Sequence, residues 1–178
     1  MEEESLLKVK FIEDQFIEKI AENMHAYGVS TTVGRVLAII YMNRKPMTLN
    51  ELSAETGMSK TRMSQVVREM VDLNIADKVF EKGVRRDLYN VEQDYYQTFI
   101  SLFTSNWRKS INKNKQFEKK LSFELNGILE NDQLDEETEQ KINDLLRETK
   151  ELLDYYQWLG RLVEFFDSGE IFKYVPKP

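Results

Sequence analysis

Thr48 to Val91, TLNELSAETGMSKTRMSQVVREMVDLNIADKVFEKGVRRDLYNV, is the stretch whose reading decides the fold. Thr48-Leu-Asn-Glu51 has capping-box spacing: the Thr48 hydroxyl accepts from the backbone three residues on, and Glu51 reaches back to Thr48. Met47 and Leu52 can staple across that helix start. Ser59 opens a second helix after Gly57, which supplies the turn, and Met58 and Met63 stand at its staple positions. Met63, Val66, Val67 and Met70 then recur at three- and four-residue spacing and form one apolar stripe. Beyond Asn74, Ala76 to Glu81 and Asp87 to Val91 carry strand-forming residues around Lys82-Gly83-Val84-Arg85-Arg86, a basic turn that Gly83 permits. The stretch is therefore a helix, a turn, a helix and a two-stranded wing.

On the second helix Lys60, Thr61, Ser64, Gln65 and Arg68 fall together on the face opposite the apolar stripe. Short polar side chains that donate and accept, opened by a lysine, have the chemistry needed to read base edges. Lys60, Thr61, Ser64 and Gln65 are the candidate base contacts and Arg68 a candidate phosphate contact. Arg62 is displaced from this face and is placed on phosphate or on neighbouring structure. Arg85 and Arg86 belong to the wing, where a minor groove and a phosphate are equally open roles. From Lys60 to Arg86 the formal charge is +3, inside a chain of −6, so the remainder carries −9. Positive charge concentrated on one helix and one loop of an acidic protein is placed for an anionic partner. The alternative is a winged protein-interaction module that does not bind DNA, its polar helix face simply solvated.

The rest of the composition narrows the field. A chain of 178 residues with 41% hydrophobic content holds one domain, or one with a helical extension. No apolar run approaches the roughly 20 residues that a membrane helix needs, and the N-terminus is acidic, so the chain is expected to be cytoplasmic and associated with the nucleoid when bound to DNA. Without cysteine there is no disulfide or thiolate metal site. His25 is the single histidine and sits near a helix end before Tyr27-Gly28. With no phosphate-cradling glycine loop or nucleophile elbow, no catalytic residue, metal ligand or cofactor is expected.

Outward from the wing, Glu2 to about Tyr27 reads as a first helix, with Leu6, Leu7, Phe11, Phe16, Ile17, Ile20 and Met24 near a 3.6 period and Gly28 as its C-cap. Glu2, Glu3 and Glu4 suit its positive end. Ser30 or Thr31 opens a second helix lined by Val33, Val36, Leu37, Ile40 and Tyr41, which Pro46 closes. A long helical region runs from about Glu92 towards Asn126, its second half basic from Arg108 to Lys120, a run read as a solvated face. Gly127 and Asn131-Asp132-Gln133 mark a break. The last helix, about Asp135 to Asp167, carries a heptad seam of Ile142, Leu145, Thr149, Leu152, Tyr156, Leu159, Val163 and Phe166. Such a seam must pack against the other long helix, a second subunit, or both. The expected architecture is mainly α, a winged helix-turn-helix with a small β-hairpin wing and long N- and C-terminal dimerisation helices. Residues 1–30 are assigned to an N-terminal helix contributing to dimerisation, 31–92 to DNA binding, and 93–178 to a dimerisation and ligand-sensing region. A homodimer answers a need set by DNA, because two recognition helices related by a two-fold axis read a palindromic operator whose half-sites lie about one helical turn apart.

This succession of elements resembles the MarR-type winged-helix regulators. More specifically, YGVSTTVGRVLAIIYMNRKPMTLNEL, GMSKTRMSQVVREM, KGVRRDLY and the terminal QWLGRLVEFFDSGEIFKYVPKP resemble the GbsR subgroup, and the similarity spans nearly the whole chain. The resemblance implies a dimeric repressor of osmoprotectant uptake and glycine betaine synthesis genes of the kind found in Bacillus-like bacteria, with choline as an inducer for some members. A quaternary ammonium has no N–H to donate and is held by aromatic faces, each contributing on the order of 0.5 to 2 kcal/mol. Tyr41, Tyr96, Trp107 and Phe165 are the candidate cage, on elements expected to meet between the winged module and the dimer region. The competing readings are that these aromatics are core and that the repressor does not respond to choline.

Overall fold

The computed structural model describes residues 2–83, 85–131 and 133–178. Val84 in the expected wing turn and Asp132 in the expected break lie outside them. Among the described residues eight helical segments and three short strands follow one another. Helix α1 covers Glu2–Met24, and a single 3₁₀ turn, His25–Tyr27, leads to Gly28 in the left-handed region, whose N–H is bonded to the His25 carbonyl. Helix α2, Thr31–Asn43, starts on Ser30, whose side chain accepts from the Val33 N–H. It ends before Pro46 acts, because Arg44 turns left-handed at φ 57.

Strand β1 is only Met47–Thr48, and α3, Leu49–Thr56, begins immediately behind it. Helix α4 is Lys60–Asp72, followed by β2, Ala76–Val79, and β3, Leu88–Val91. The wing is shorter than its sequence suggests, and its sheet is wider: β1 pairs antiparallel with β3, Met47 opposite Tyr89, giving the order β1-β3-β2. Helix α5 covers Tyr95–Asn131, α6 Glu136–Asp167 and α7 Ile171–Tyr174. The break expected at Gly127 is absent, since α5 runs through it to Asn131. A single interior glycine costs about 1 kcal/mol, which buried neighbours such as Leu125 outweigh.

The chain divides into two compact units, one ending at Leu102 and the other beginning at Phe103. In the first unit, Val33, Val36, Ile40, Leu52, Met63, Val66, Val67, Met70 and Ile75 are all but inaccessible and form the centre of its core. The full apolar stripe of α4 is thus spent on packing, which fixes its polar face outward. The unit includes the start of α5, where Thr98, Ile100 and Leu102 are buried. Helix α1 packs on α2, where Gly34 meets the Ala21 backbone. The N-terminal half of α1 leaves Leu6, Leu7, Val9, Phe11 and Ile12 exposed.

The second unit is a helical hairpin. Phe103 meets Phe166 with ring centroids 4.7 Å apart, Ile111 clusters with Leu159 and Val163, and Arg108 pairs with Asp167, so α5 and α6 run antiparallel. Asp135 caps α6 by accepting from the Thr138 N–H at 2.7 Å. The heptad seam is only half spent: Ile142, Thr149, Leu159 and Val163 are buried, whereas Leu145 and Leu152 remain 44% and 40% exposed. Among the described residues no helix is long and apolar enough to cross a membrane.

Candidate nucleic-acid interface

The local sequence sets α4 on its caps as the spacing predicts. Ser59 accepts from the Arg62 N–H at 3.2 Å, and Gly57 turns left-handed at φ 69 to end α3. Lys60, Thr61, Arg62, Gln65 and Arg68 are exposed along the helix, while Ser64 is half-buried at the edge of the face. Arg62 Nη1 donates to the Gln65 side-chain oxygen at 3.4 Å. That bond occupies the Gln65 amide oxygen as acceptor and leaves its NH₂ group as the donor.

At the start of α3 the capping box closes in full. Glu51 N–H donates to Thr48 Oγ1 at 3.3 Å, and Glu51 Oε2 accepts from Thr48 N–H at 2.7 Å and from Thr48 Oγ1 at 2.8 Å. These bonds, the backbone one first, hold the Glu51 carboxyl below its usual value, with Arg86 adding a smaller push in the same direction. Arg86 therefore lies near the root of α3. In the wing Lys78 Nζ pairs with Asp87 at 2.9 Å, which raises the lysine's own pKa. Gly83 takes φ 92, and Lys82, Arg85 and Arg86 are exposed around it. Between these elements lies an open cleft of about 270 Å³ lined by Thr48, Leu49, Asn50, Lys60, Arg85, Arg86 and Asp87. The arrangement therefore brings Lys60 together with both wing arginines, a grouping that spans 27 residues of sequence and that periodicity does not reveal.

The aromatic candidates distribute differently. Tyr41 is buried and faces the ring of Tyr95 at 4.7 Å, and the Arg44 guanidinium lies 4.3 Å over its ring. Arg44 is held there by a 2.6 Å bond to the Gln93 side-chain oxygen. Tyr95 is 50% exposed as a whole, but desolvation of its hydroxyl, then hydrogen bonding with Tyr41, pushes that hydroxyl up to about 12. Tyr96, next to it, is 44% exposed. In the second unit Trp107 packs near Phe103, and Phe165 contacts Phe166 and Tyr174. The first unit also holds a cleft of about 150 Å³ lined by Ile20, Asn23, Met24, Tyr27, Tyr95, Thr98, Phe99 and Leu102, with Tyr27 edge-on to Phe99 at 5.9 Å. Tyr27 and Phe99 are too far apart in sequence for any local pattern to have paired them.

A capped three-helix core presenting one polar helix face, beside a three-stranded sheet with a basic tip, defines a winged helix-turn-helix regulator. Residues 27–87 match the MarR family model, and residues 95–173 match the model described as the C-terminal helical hairpin of GbsR family transcriptional regulators. Among curated proteins of Bacillus subtilis (strain 168), the chain is 67% identical to the putative HTH-type transcriptional regulator YvaV over the whole of both chains. It is 66% identical to the HTH-type transcriptional repressor OpcR, covering 99% of this chain and 96% of that one. Identity to the HTH-type transcriptional repressor GbsR is 34%, over 92% of this chain and 90% of that one. A solved structure described as a transcriptional regulator superposes with a TM-score of 0.57 at 14% identity, covering 88% of this chain and 98% of that one, a likeness of fold. The chain belongs to the GbsR family of transcriptional regulators, and it is a transcriptional repressor of the helix-turn-helix, MarR/GbsR type rather than an enzyme.

Proposed function

We propose that this repressor binds a palindromic operator as a homodimer and controls genes for uptake or synthesis of osmoprotectants such as glycine betaine, with release by a quaternary ammonium ligand such as choline. The observation that carries the DNA part is the α4 face: its apolar stripe is wholly buried, and Thr61, Gln65 and Arg68 stand exposed on the other side. The osmoprotectant part rests on the likeness to the GbsR family across the whole chain.

Self-association is supported by surfaces that the chain does not cover itself. Leu145, Leu152, Tyr155 and Trp158 of α6 and Leu6, Leu7 and Phe11 of α1 are exposed apolar side chains on helices. Gly127 in α5 and Gly160 in α6 have, among the described residues, nothing within 4 Å of an added Cβ. The assignments of residues 1–30 and 93–178 to dimerisation, and of 31–92 to DNA, are part of this proposal. For the ligand, Tyr41, Tyr96, Trp107 and Phe165 remain the proposed cage. Tyr41 can take part only if Arg44 leaves its ring, and the 150 Å³ cleft beside Tyr95 adds Tyr27 and Phe99 as further aromatic faces of the same chemistry.

A ligand releases DNA only to the extent that it binds the non-binding geometry more tightly. The test is fluorescence anisotropy with duplexes selected from a random pool, at two salt concentrations, with and without choline. Tight, salt-sensitive binding that choline weakens is expected. Binding that is indifferent to choline and to glycine betaine removes the ligand part, and the absence of duplex binding removes the whole reading. Gln65→Ala is expected to change the selected bases, whereas Arg68→Ala weakens all sequences alike.

A further inference from the structure

The cleft at the meeting of α3, α4 and the wing is a cationic seat with three contributors. Asn50 comes from the first turn of α3, Lys60 is the first residue of α4, and Arg85 and Arg86 come from the wing. One carboxylate, Asp87, lines it, and a second, Glu51, interacts with Arg86 from the start of α3; both have other partners. Asp87 is paired with Lys78 at 2.9 Å, and Glu51 is folded back onto Thr48 at 2.7 and 2.8 Å. Among the described residues neither Lys60, Arg85 nor Arg86 forms an ion pair within 4 Å, and the Asn50 amide carries no hydrogen bond. Lys60, Arg85 and Arg86 bring three positive charges to the lining of this cleft of about 270 Å³ and Asp87 brings one negative charge, a net positive lining that favours an anion.

We propose that this cleft holds one backbone phosphodiester of the bound DNA, with Lys60 and Arg86 as its charge partners, Arg85 beside them and Asn50 as a neutral donor. The proposal rests on the DNA reading above and changes the roles within it. Lys60 becomes a positioning residue that sets the register of α4 on the duplex, not a reader of bases. Asn50, which periodicity and motif both pass over, becomes a DNA contact. Base preference then falls to Thr61 and to Gln65, whose amide oxygen accepts from Arg62.

The anion is a phosphodiester, not a free phosphate, because the cleft is open and adjoins the recognition face. Lys60 precedes Thr61 directly, so a strand flanking the groove that Thr61 and Gln65 face must pass the cleft. Phosphate contacts fix position and carry no sequence information directly. Each one neutralised by a cation releases counterions and steepens the salt dependence by about one unit of slope.

The test uses full-length protein and its selected duplex, with single phosphates replaced one at a time by uncharged methylphosphonates. Wild type, Lys60→Ala, Asn50→Ala and Gln65→Ala are compared, with circular dichroism to show that each variant is folded. The expected result is that Lys60→Ala lowers the salt slope by about one and leaves the selected bases unchanged. One methylphosphonate position in each half-site weakens wild type but costs Lys60→Ala and Asn50→Ala little more. Altered base preference in Lys60→Ala overturns the assignment, as does a methylphosphonate scan with no position at which the losses overlap. Inorganic phosphate, titrated at constant ionic strength while the Asn50 amide resonance is followed, separates the two sources of the anion. Saturation by phosphate that duplex does not displace would mark a small-anion site and also overturn the proposal. Wild type that binds no duplex removes the DNA reading itself, a result distinct from all of these.

Discussion

Replacing Thr48 by alanine removes two of the three bonds of the capping box, those made by Oγ1 to the Glu51 N–H at 3.3 Å and to the Glu51 carboxylate at 2.8 Å. The third, from Thr48 N–H to the carboxylate at 2.7 Å, survives because it needs no side chain. N-cap losses of this kind cost about 0.5–2 kcal/mol, and with the backbone bond kept a loss of about 1 kcal/mol is expected. With a urea slope of about 2 kcal/mol per molar, the midpoint of the first unit's transition falls by about 0.5 M at neutral pH. The pH dependence adds a sign. Glu51 is held below its ordinary 4.5 in the folded state, so its stabilisation is fully present above that value and is lost as pH falls through the folded one. The deficit of Thr48→Ala includes the bond from hydroxyl to carboxylate, so it is largest near neutrality and shrinks on acidification below about 4.5. Thr48→Ser keeps both bonds and should unfold within about 0.5 kcal/mol of wild type. Urea unfolding followed by circular dichroism at several pH values measures all of this. A Thr48→Ala protein as stable as wild type at neutral pH would show that the box contributes nothing, and a deficit that grows towards acid would refute the contribution of the hydroxyl–carboxylate bond.

Two further substitutions test the packing of the first unit. Gly34→Ala places a Cβ 2.9 Å from the Ala21 Cα and carbonyl oxygen and from the Met24 Cβ. Backbone cannot rotate away, so α1 must shift; overpacking of about 1–3 kcal/mol exceeds the roughly 1 kcal/mol gained in helix propensity, and a lower thermal midpoint is expected. An unchanged or raised midpoint would mean that α1 does not sit as closely on α2 as described. Tyr41→Phe removes the hydrogen bond that helps hold Tyr95 neutral, so tyrosinate absorbance should show the Tyr95 hydroxyl moving down from about 12 towards 10.0, while burial keeps it from reaching that value. Because the neutral form is favoured in the fold, Tyr95's stabilisation is present below about 10 and lost as pH rises towards about 12, a loss that completes at lower pH in the variant. A titration identical to wild type would deny the Tyr41 to Tyr95 bond.

What the residues disclose in advance is the part that local chemistry writes. The capping box at Thr48, the Ser59 cap, the left-handed Gly57 and the stripe of Met63, Val66, Val67 and Met70 all depend on neighbours within five residues, and all appear where the spacing places them. Strand β1 was not legible, because two residues have no periodicity and its existence depends on β3 arriving forty residues later. Helix α7 is one turn long and follows a left-handed Gly169 that reads equally well as a chain end. At the candidate DNA site, sequence supplied the exposed face of α4 but not the company of Lys60, because side-chain direction at a helix start follows from how the wing folds back. Among the aromatics, sequence named Tyr41 but not Arg44 over its ring or Tyr95 against it, since a left-handed arginine and a packed α5 are tertiary events.

Thr48 belongs to two elements at once. Its backbone stands opposite Leu88 in the sheet, and its side chain caps α3. Anyone building chimeras from this family must therefore treat residues 47–51 and 88–91 as one cassette, exchanged together or not at all. The outward residues Thr61, Gln65 and Arg68 of α4 can be transplanted without touching that cassette, whereas Lys60 shares its cleft with Asn50 and the wing arginines and must travel with them.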